Sequence, residues 1–424
     1  MTRLFLTYYF LLILGPIVFI GNIPLSSYYF LLVVMLFLGG LIKIKDKNDS
    51  FFVFMPFYFK CYLLLMSVYL LTYLFNFFES DYVASIRDLI IIYTPLQYII
   101  LVNLLCFIIY RIESEEQRIC FIKSIIKMHL FLLFIVGIVA ILQMFDVFNM
   151  QNILSKYYGS LNVGVWQEYI KYNPRASATF NLEPNTLGLY AGFSLVLFHI
   201  FKSELKLGSK KAIAIFFLGF ISLIFSGSFT GIIVYMFLTV TYLFLYKKLG
   251  MKTVIVTLVG LLVFTSIFTA DIERSLERQK IGDGNIVPSS LKARMNNAWL
   301  TTYLKFEEEF INGIGPSAIQ LSHSADNDFL DKFLRFGIVG GVSNIFFVII
   351  LVVYPLIVRN SNSDKFVRKL FLFSSLVALA FALASITGSA FKAKRIAESL
   401  WILYSLPFIY IYTQRKHEAS IIKR

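Results

Sequence analysis

Long apolar runs alternate with short polar connections along the whole chain. A helix needs about 20 apolar residues to cross a hydrocarbon core of about 30 Å, and runs of about this length recur. We predict twelve membrane-spanning helices, at residues 4–20, 25–42, 52–75, 86–110, 121–142, 183–201, 211–226, 229–246, 252–270, 334–357, 368–388 and 396–412. The pattern therefore predicts an all-α polytopic membrane protein with about 12 transmembrane helices, since helices satisfy their own backbone groups in lipid.

Two long polar stretches interrupt this pattern, at residues 143–182 and 271–333. We expect residues 1–424 to form a single integral membrane domain that carries these stretches as a first loop and a larger second loop with short helices. The second stretch is dense in Arg, Asp, Glu and Asn, although the chain as a whole is 58% hydrophobic. Pores and passive anchors rarely need so long a polar insertion, so we expect the chemistry to lie there.

The net charge of +14 would suggest nucleic acid in a soluble protein, but its distribution indicates a membrane topology instead. With the amino terminus in the cytoplasm, the cytoplasmic face carries 24 Lys and Arg against 8 Asp and Glu, leaving 15 against 17 for the rest of the chain. Cytoplasmic loops of membrane proteins carry such an excess of Lys and Arg. We therefore predict cytoplasmic termini, two external loops and no nucleic-acid partner.

Cofactor chemistry finds little support in the sequence. The three cysteines, Cys61, Cys106 and Cys120, lie in or beside predicted spans, so no disulfide framework is expected. Clusters of His and Cys with metal-ligand spacing are missing from the sequence. Asp326-Asn-Asp328 has the D-x-D spacing with which soluble glycosyltransferases hold a metal and a nucleotide diphosphate, but nucleotide sugars are absent outside the cytoplasmic membrane. We predict neither a metal nor a cofactor.

The first loop ends in Arg175, Glu183, Pro184 and Asn185, directly before a predicted span. Pro fits the first turn of a helix, and acidic or Asn side chains there complement exposed amide groups. A capped helix with Arg175 directed to lipid headgroups is one interpretation. The other is an anion site suited to phosphate, with Arg175 beside a helix amino terminus at the membrane surface.

Lys392, Lys394 and Arg395 depart from the charge rule, since they lie on a connection predicted to be external. A local error in the span count would account for them. The alternative is that these cations bind a pyrophosphate headgroup.

Several segments together resemble the bacterial superfamily of O-antigen polymerases and O-antigen ligases. Residues 175–188, RASATFNLEPNTLG, are similar to the family's segment of Arg, a small-residue turn, Phe and Pro-Asn that leads into a helix. The turn Ser226-Gly-Ser228-Phe-Thr-Gly231 is similar to a Ser-rich turn two spans later. In the second loop, Arg294, Trp299 and Gly313-Ile-Gly315-Pro316 resemble the family's Arg, Trp and G-x-G positions.

The end of the second loop separates the two branches of this superfamily. Ligases of this superfamily resemble one another in a motif of His and Asn, followed after nine further residues by Gly-x-x-Gly. This chain has Asn327 at the proper distance from Gly337 and Gly340, but Asp326 stands in the place of the His, and His323 lies three positions earlier. The resemblance therefore favours a polymerase.

The resemblance implies a glycosyltransferase in a bacterial cytoplasmic (inner) membrane that uses undecaprenyl-pyrophosphate-linked oligosaccharides and contacts membrane lipids. A chain-length regulator and a flippase are the protein partners it implies. It also implies roles for individual residues. Asp326 or His323 would act as base or orient the acceptor, with Asn327 as a hydrogen-bonding partner; the residues expected to bind substrate or pyrophosphate are Arg175, Glu183, Asn185, Arg294, Arg335, Lys392, Lys394 and Arg395.

Simpler roles stay open for some of these residues. Residues 326–328 would serve equally to cap the helix that follows, and Arg335 to anchor it at the interface. An O-antigen ligase, which transfers the glycan to lipid A core, is the alternative within the superfamily. A transporter or flippase of lipid-linked sugars would instead predict ionisable residues within spans, whereas the predicted spans contain only His129, His199 and a few charges at their ends.

Overall fold

The computed structural model describes residues 1–20, 23–45, 54–78, 82, 85–158, 175–180, 183–246, 294–316, 327–388, 390 and 394–422. The α-helices in these residues are α1 (Thr2–Leu14), α2 (Ser27–Lys45), α3 (Phe57–Phe77), α4 (Ile86–Tyr110), α5 (Glu115–Met144), α6 (Met150–Tyr158), α7 (Pro184–Phe201), α8 (Ser209–Phe225), α9 (Phe229–Tyr246), α10 (Leu300–Glu308), α11 (Asp328–Asn360), α12 (Lys365–Ile386) and α13 (Lys394–Ile422). Two short strands, β1 (Ile17–Ile20) and β2 (Ile23–Ser26), pair antiparallel. A 3-10 turn (Val147–Asn149) precedes α6, and a π-helical turn (Arg294–Trp299) precedes α10.

Seven of the described helices are long and apolar enough to cross a membrane. These segments are Phe57–Phe77, Asp88–Tyr110, Glu115–Met144, Pro184–Phe201, Asp328–Asn360, Lys365–Ile386 and Arg395–Ala419. Shorter apolar helices occupy Thr2–Leu14, Ser27–Ile42 and Phe229–Leu245. The chain thus has the helices of a polytopic membrane protein. The number of twelve spans stays a prediction, and the predicted span 252–270 lies outside the described residues.

The structure differs from the prediction at the first apolar run, 4–20. Helix α1 ends at Leu14, and Gly15 adopts an extended conformation with φ −67° and ψ 136°. Pro16 explains this break because proline lacks a backbone N–H and disfavours the helical conformation for the residue before it. The remaining apolar residues form β1, which pairs with β2 instead of extending the helix.

One end of the bundle, which we call the loop end, gathers the segments that the sequence analysis singled out. It comprises the carboxyl ends of α1, α5, α8 and α12 and the amino ends of α7, α9, α11 and α13. Side chains connect these ends. The Thr230 and Thr387 hydroxyls lie 2.7 Å apart and join α9 to α12, and Ser385 donates to Asp328 over 3.2 Å, which joins α12 to α11. Both predicted loops therefore meet the bundle at the same end.

The opposite end, which we call the basic end, carries the Lys- and Arg-rich connections. Lys369 donates to the Glu204 carboxylate over 2.7 Å, and this hydrogen bond lowers the pKa of Glu204 below its ordinary value. The His417 ring lies 2.9 Å from the carbonyl of Tyr110, which ties α13 to α4. These are connections that the charge distribution predicts to be cytoplasmic. The side of the membrane that each end faces remains a prediction.

Helix α13 runs through the centre of the bundle. In its most apolar 18-residue stretch 89% of the residues are buried, against 33% for α3. Trp401, about two turns after the start of the helix, is almost fully buried and stacks with Tyr62 and Tyr98 at ring-centroid distances of 5.1 and 5.9 Å. The core is therefore aromatic and centred on α13, whereas only a third of the corresponding stretch of α3 is buried.

Helix α11 is broken close to its amino end, where Gly337 has φ +62° and ψ −168°. The break leaves backbone groups of α11 without partners in the helix, and the segment after α10 forms hydrogen bonds with them. The Ile314 amide donates to the Leu334 carbonyl over 2.8 Å, and the Ile338 amide donates to the Phe310 carbonyl over 2.9 Å. A Cβ atom at Gly313 would lie 2.5 Å from the Gly337 nitrogen. The Gly-x-Gly segment of the second loop is thus docked directly on this break.

Gly337→Ala is expected to lower the free energy of unfolding by about 2–3 kcal/mol, because a side chain is strained in this conformation. The added Cβ would also lie 1.8 Å from the Ile311 carbonyl oxygen. Gly40→Ala is the matched control, since nothing lies within 4 Å of that Cβ and alanine favours helices. Thermal unfolding in detergent measures both variants. Equal stability of the two would show that the break does not require glycine.

Candidate functional site

Arg175 lies at the loop end between the amino terminus of α7 and the turn that joins α8 to α9. Its Nε donates to the Ser226 carbonyl over 2.7 Å, and its Nη2 donates to Asn185 Oδ1 over 2.8 Å. Gly227, with φ +53°, leaves room for this side chain, since a Cβ there would lie 3.2 Å from Arg175 Nε. The Arg segment and the Ser-rich turn, which lie about fifty residues apart in the sequence, thus form one structure.

Helix α7 begins as the sequence predicts. Glu183 is the N-cap residue, Pro184 occupies the first turn, and Glu183 Oε2 accepts a hydrogen bond from the Thr186 hydroxyl over 2.8 Å. Since Asn185 lies in the first turn and holds Arg175, the guanidinium lies beside the start of α7. Pro184 has no N–H there, and the amides of Thr186 and Leu187 donate to the Glu183 carbonyl. A cation beside a helix amino terminus suits a phosphate group, because the helix dipole also favours negative charge at this end.

Asn327 caps helix α11. Its Oδ1 accepts hydrogen bonds from the amides of Phe329 and Leu330, at 3.0 and 3.1 Å. This confirms the capping interpretation for Asn327, and the predicted catalytic contact of this residue remains a prediction. Asp328, the next residue, is buried against α12 through Ser385.

Arg335 forms a salt bridge with Asp331, one helical turn earlier, at 2.7 Å. Its Nη1 also donates to the carbonyl of Pro316, at the end of the Gly-x-Gly segment. The guanidinium therefore ties the second loop to the first turns of α11. This geometry favours a structural role at the loop end, and pyrophosphate binding by Arg335 remains a prediction.

Arg395 is 3% exposed, and its guanidinium is directed at backbone carbonyls. Nη1 donates to Ile13 and Thr179 over 3.2 and 3.1 Å, and Nη2 donates to Gly15 over 2.7 Å. It thus satisfies carbonyls at the end of α1 and in the Arg175 segment. The phenol of Tyr158 lies under it, with 5.4 Å between ring centroid and Cζ. This geometry favours a structural role over contact with a headgroup.

The remaining candidates cannot be placed in this geometry. His323, Asp326 and Lys392 lie outside the described residues. Arg294 opens the π-helical turn and Lys394 opens α13, but the described structure does not extend to their side chains. The predicted catalytic roles of His323, Asp326 and Asn327 therefore stay predictions.

Two groups of buried polar side chains lie within the bundle. The second includes His129, an ionisable residue of a predicted span, whereas the first surrounds Glu398, which the sequence pattern did not single out. This residue lies one turn inside α13 and is fully buried. Its carboxylate accepts hydrogen bonds from four side chains: the hydroxyls of Tyr8, Tyr28 and Tyr29, at 3.2 to 3.4 Å, and the amide of Gln97. A polar residue three positions after Arg395 within an apolar run was the only available signal.

The second buried group is a chain of hydrogen bonds through His129. Ser194 donates to the Tyr190 carbonyl, so its oxygen accepts the His129 Nε2–H over 2.7 Å. Nδ1 then accepts the Tyr9 hydroxyl over 2.8 Å, and Tyr9 accepts from Ser399. All donors in this chain have acceptors when the imidazole is neutral. The arrangement is therefore that of a neutral structural histidine.

No protein-family model matches this chain, and no curated protein matches it. The described helices are those of a polytopic membrane protein, and polar side chains gather at the loop end of their bundle.

Proposed function

We propose that this protein polymerises undecaprenyl-pyrophosphate-linked oligosaccharide repeat units into O-antigen or capsule-type polysaccharide, on the external face of a bacterial cytoplasmic membrane. One observation carries the proposal. Arg175, the turn 226–231, the segment 313–316 and the helix start at Asn327 come from distant parts of the sequence and converge at the loop end. They are the segments on which the resemblance to the superfamily of O-antigen polymerases and ligases rests.

The proposed reaction joins two lipid-linked glycans. A hydroxyl of the acceptor attacks the anomeric carbon of the donor sugar, a new C–O bond forms, and the bond to undecaprenyl pyrophosphate breaks. The proton of the hydroxyl passes to Asp326 or His323, and the pyrophosphate leaves with the bonding electrons. Arg175, beside the amino terminus of α7, offsets the negative charge of this leaving group.

Reconstitution of the purified protein in proteoliposomes with a lipid-linked repeat unit tests the proposal. We expect a ladder of polymers whose lengths differ by one repeat unit, with release of undecaprenyl pyrophosphate. Transfer of single units to lipid A core, without a ladder, would identify the ligase alternative. In cells, loss of a polymerase leaves single repeats on the core, whereas loss of a ligase leaves none.

Arg175→Ala is expected to reduce polymer formation at limiting donor by roughly 10–100-fold, the amount that one lost charged hydrogen bond commonly produces. Arg359→Ala is the matched control, because Arg359 donates to the Leu245 carbonyl at the basic end. Initial rates over a range of donor concentrations measure the effect. Unchanged polymer in Arg175→Ala at limiting donor would contradict the proposed role.

A second candidate, a transporter of lipid-linked sugars, is favoured by one observation. Glu398 and His129 are fully buried within the helices, and ionisable groups inside spans commonly mark transport pathways. The saturated hydrogen bonding of both groups favours a structural role instead. Movement of a fluorescent lipid-linked sugar between leaflets of proteoliposomes, without polymer, would establish the transporter.

A further inference from the structure

The segment from Arg175 to Phe180 is held by a glutamine at the end of α5. Gln143 Oε1 accepts hydrogen bonds from two successive amides, those of Ser177 and Ala178, each at 2.8 Å. Its Nε2 donates to the Ser177 hydroxyl over 3.1 Å. Gln143 is 2% exposed, so water does not replace these bonds readily. A single side chain thus makes three hydrogen bonds to this segment, two of them to its backbone.

The conformation of the segment requires such support. Ala178 has φ +46°, a left-handed conformation that is unfavourable for a residue with a Cβ. Its side chain is fully buried. The two amides that donate to Gln143 Oε1, those of Ser177 and Ala178, directly precede the Cα of this residue, and without an acceptor they would be buried and unsatisfied. Loss of the Gln143 oxygen therefore removes the interaction that holds the turn.

Arg175 lies only two residues before this turn. The intervening Ala176 amide donates to the Phe225 carbonyl over 2.7 Å, next to the Ser226 carbonyl that accepts from Arg175. On the other side, the Thr179 hydroxyl donates to Ile13 over 2.7 Å. The segment is therefore held on both sides of the two amides that Gln143 accepts, and only Ala176 separates these amides from Arg175.

We infer that Gln143 is a positioning residue for Arg175 and so sets the affinity of the loop end for a pyrophosphate-bearing donor, without contact with the donor itself. This inference rests on the proposed function for its substrate. Its structural part, that Gln143 holds the 175–180 turn, is measurable without any assay of activity.

The structural part is tested by thiol labelling of the purified protein in detergent. Cys61, Cys106 and Cys120 are replaced by alanine, and Ala178→Cys introduces a buried thiol in the turn. We expect maleimide to react at least about tenfold faster after Gln143→Leu. Gln143→Glu retains the acceptor oxygen and should leave the rate unchanged. Equal rates for Gln143→Leu and the unmodified glutamine would overturn the inference.

Asn103→Leu is the matched control. Asn103 also fixes the backbone of another segment, because it accepts the Phe54 amide over 2.7 Å and donates to the Phe54 carbonyl over 3.1 Å. It lies towards the basic end of α4. We expect this variant to lose stability without faster labelling at Ala178→Cys. Faster labelling in this control would mean that general loosening, and not Gln143, controls the turn.

The functional part is tested with the polymerisation assay and a lipid-linked repeat unit as donor. We expect Gln143→Leu to raise KM for the donor about tenfold with kcat little changed, and Gln143→Glu to restore KM. An unaltered KM together with faster labelling would overturn the positioning role. If the unmodified protein forms no polymer, the proposed function fails, the link to the donor fails with it, and the labelling result alone decides whether Gln143 holds the turn.

Discussion

Asp326→Ala is expected to abolish polymerisation while the protein stays inserted and abundant. In the resemblance to the superfamily, Asp326 occupies the position of the His that ligases share. If Asp326 is the base for the acceptor hydroxyl, its removal should lower the rate of polymerisation by roughly 10²–10⁴-fold. The neighbouring cap explains why folding should persist. Asn327 accepts hydrogen bonds from the amides of Phe329 and Leu330 at the start of α11, so removal of the Asp326 side chain leaves this cap in place. The readout is glycan chain length together with protein abundance in the membrane.

Asp328→Ala serves as the control for Asp326→Ala. Asp328 is buried and bonded to Ser385, so its loss should reduce abundance as well as polymer. Chain lengths like those of the unmodified protein in Asp326→Ala would refute its catalytic role. His323→Ala, measured in parallel, separates the two candidates for the base.

Glu398→Leu is expected to lower the free energy of unfolding by roughly 4 kcal/mol or more. Three tyrosine hydroxyls and the Gln97 amide would lose a shared acceptor within the bundle, and each buried donor without a partner costs about 1–3 kcal/mol. Thermal unfolding in detergent and the yield of folded protein measure the loss.

Glu398→Gln is the matched variant for this prediction. The amide retains one acceptor oxygen in the place of the carboxylate, so we expect it to lose less stability than Glu398→Leu. If the two variants are equally stable, the buried carboxylate contributes nothing specific. Lost transport of lipid-linked sugar by a fully stable Glu398→Gln protein would instead favour the transporter.

Features governed by local chemistry could be predicted from the sequence. Pro184 after Glu183 indicated the start of α7, and the structure begins the helix there. The apolar runs predicted helices, but apolarity alone does not report where a helix ends. Residues 4–20 were all apolar enough to be predicted as one helix. In the structure, the helix ends before Gly15-Pro16 and β1 follows.

Contacts between distant segments could not be predicted in this way. Arg395 was expected to bind a headgroup because it breaks the charge rule, but in the folded chain it reaches the carbonyls of Ile13, Gly15 and Thr179. Gln143 was one polar residue at the end of a long apolar run, and nothing in the sequence indicated its acceptor role. Such residues become recognisable only when the backbone groups they satisfy are located in space.

The central place of α13 has a consequence for biogenesis. The most enclosed helix follows all the other described helices in the chain, so it leaves the ribosome after them. Until it arrives, Tyr62 and Tyr98 lack the indole on which they stack, and Tyr8 and Gln97 lack their carboxylate. We therefore expect the bundle to close only after α13 has been inserted. A chain truncated before α13 would lack the partners of these side chains.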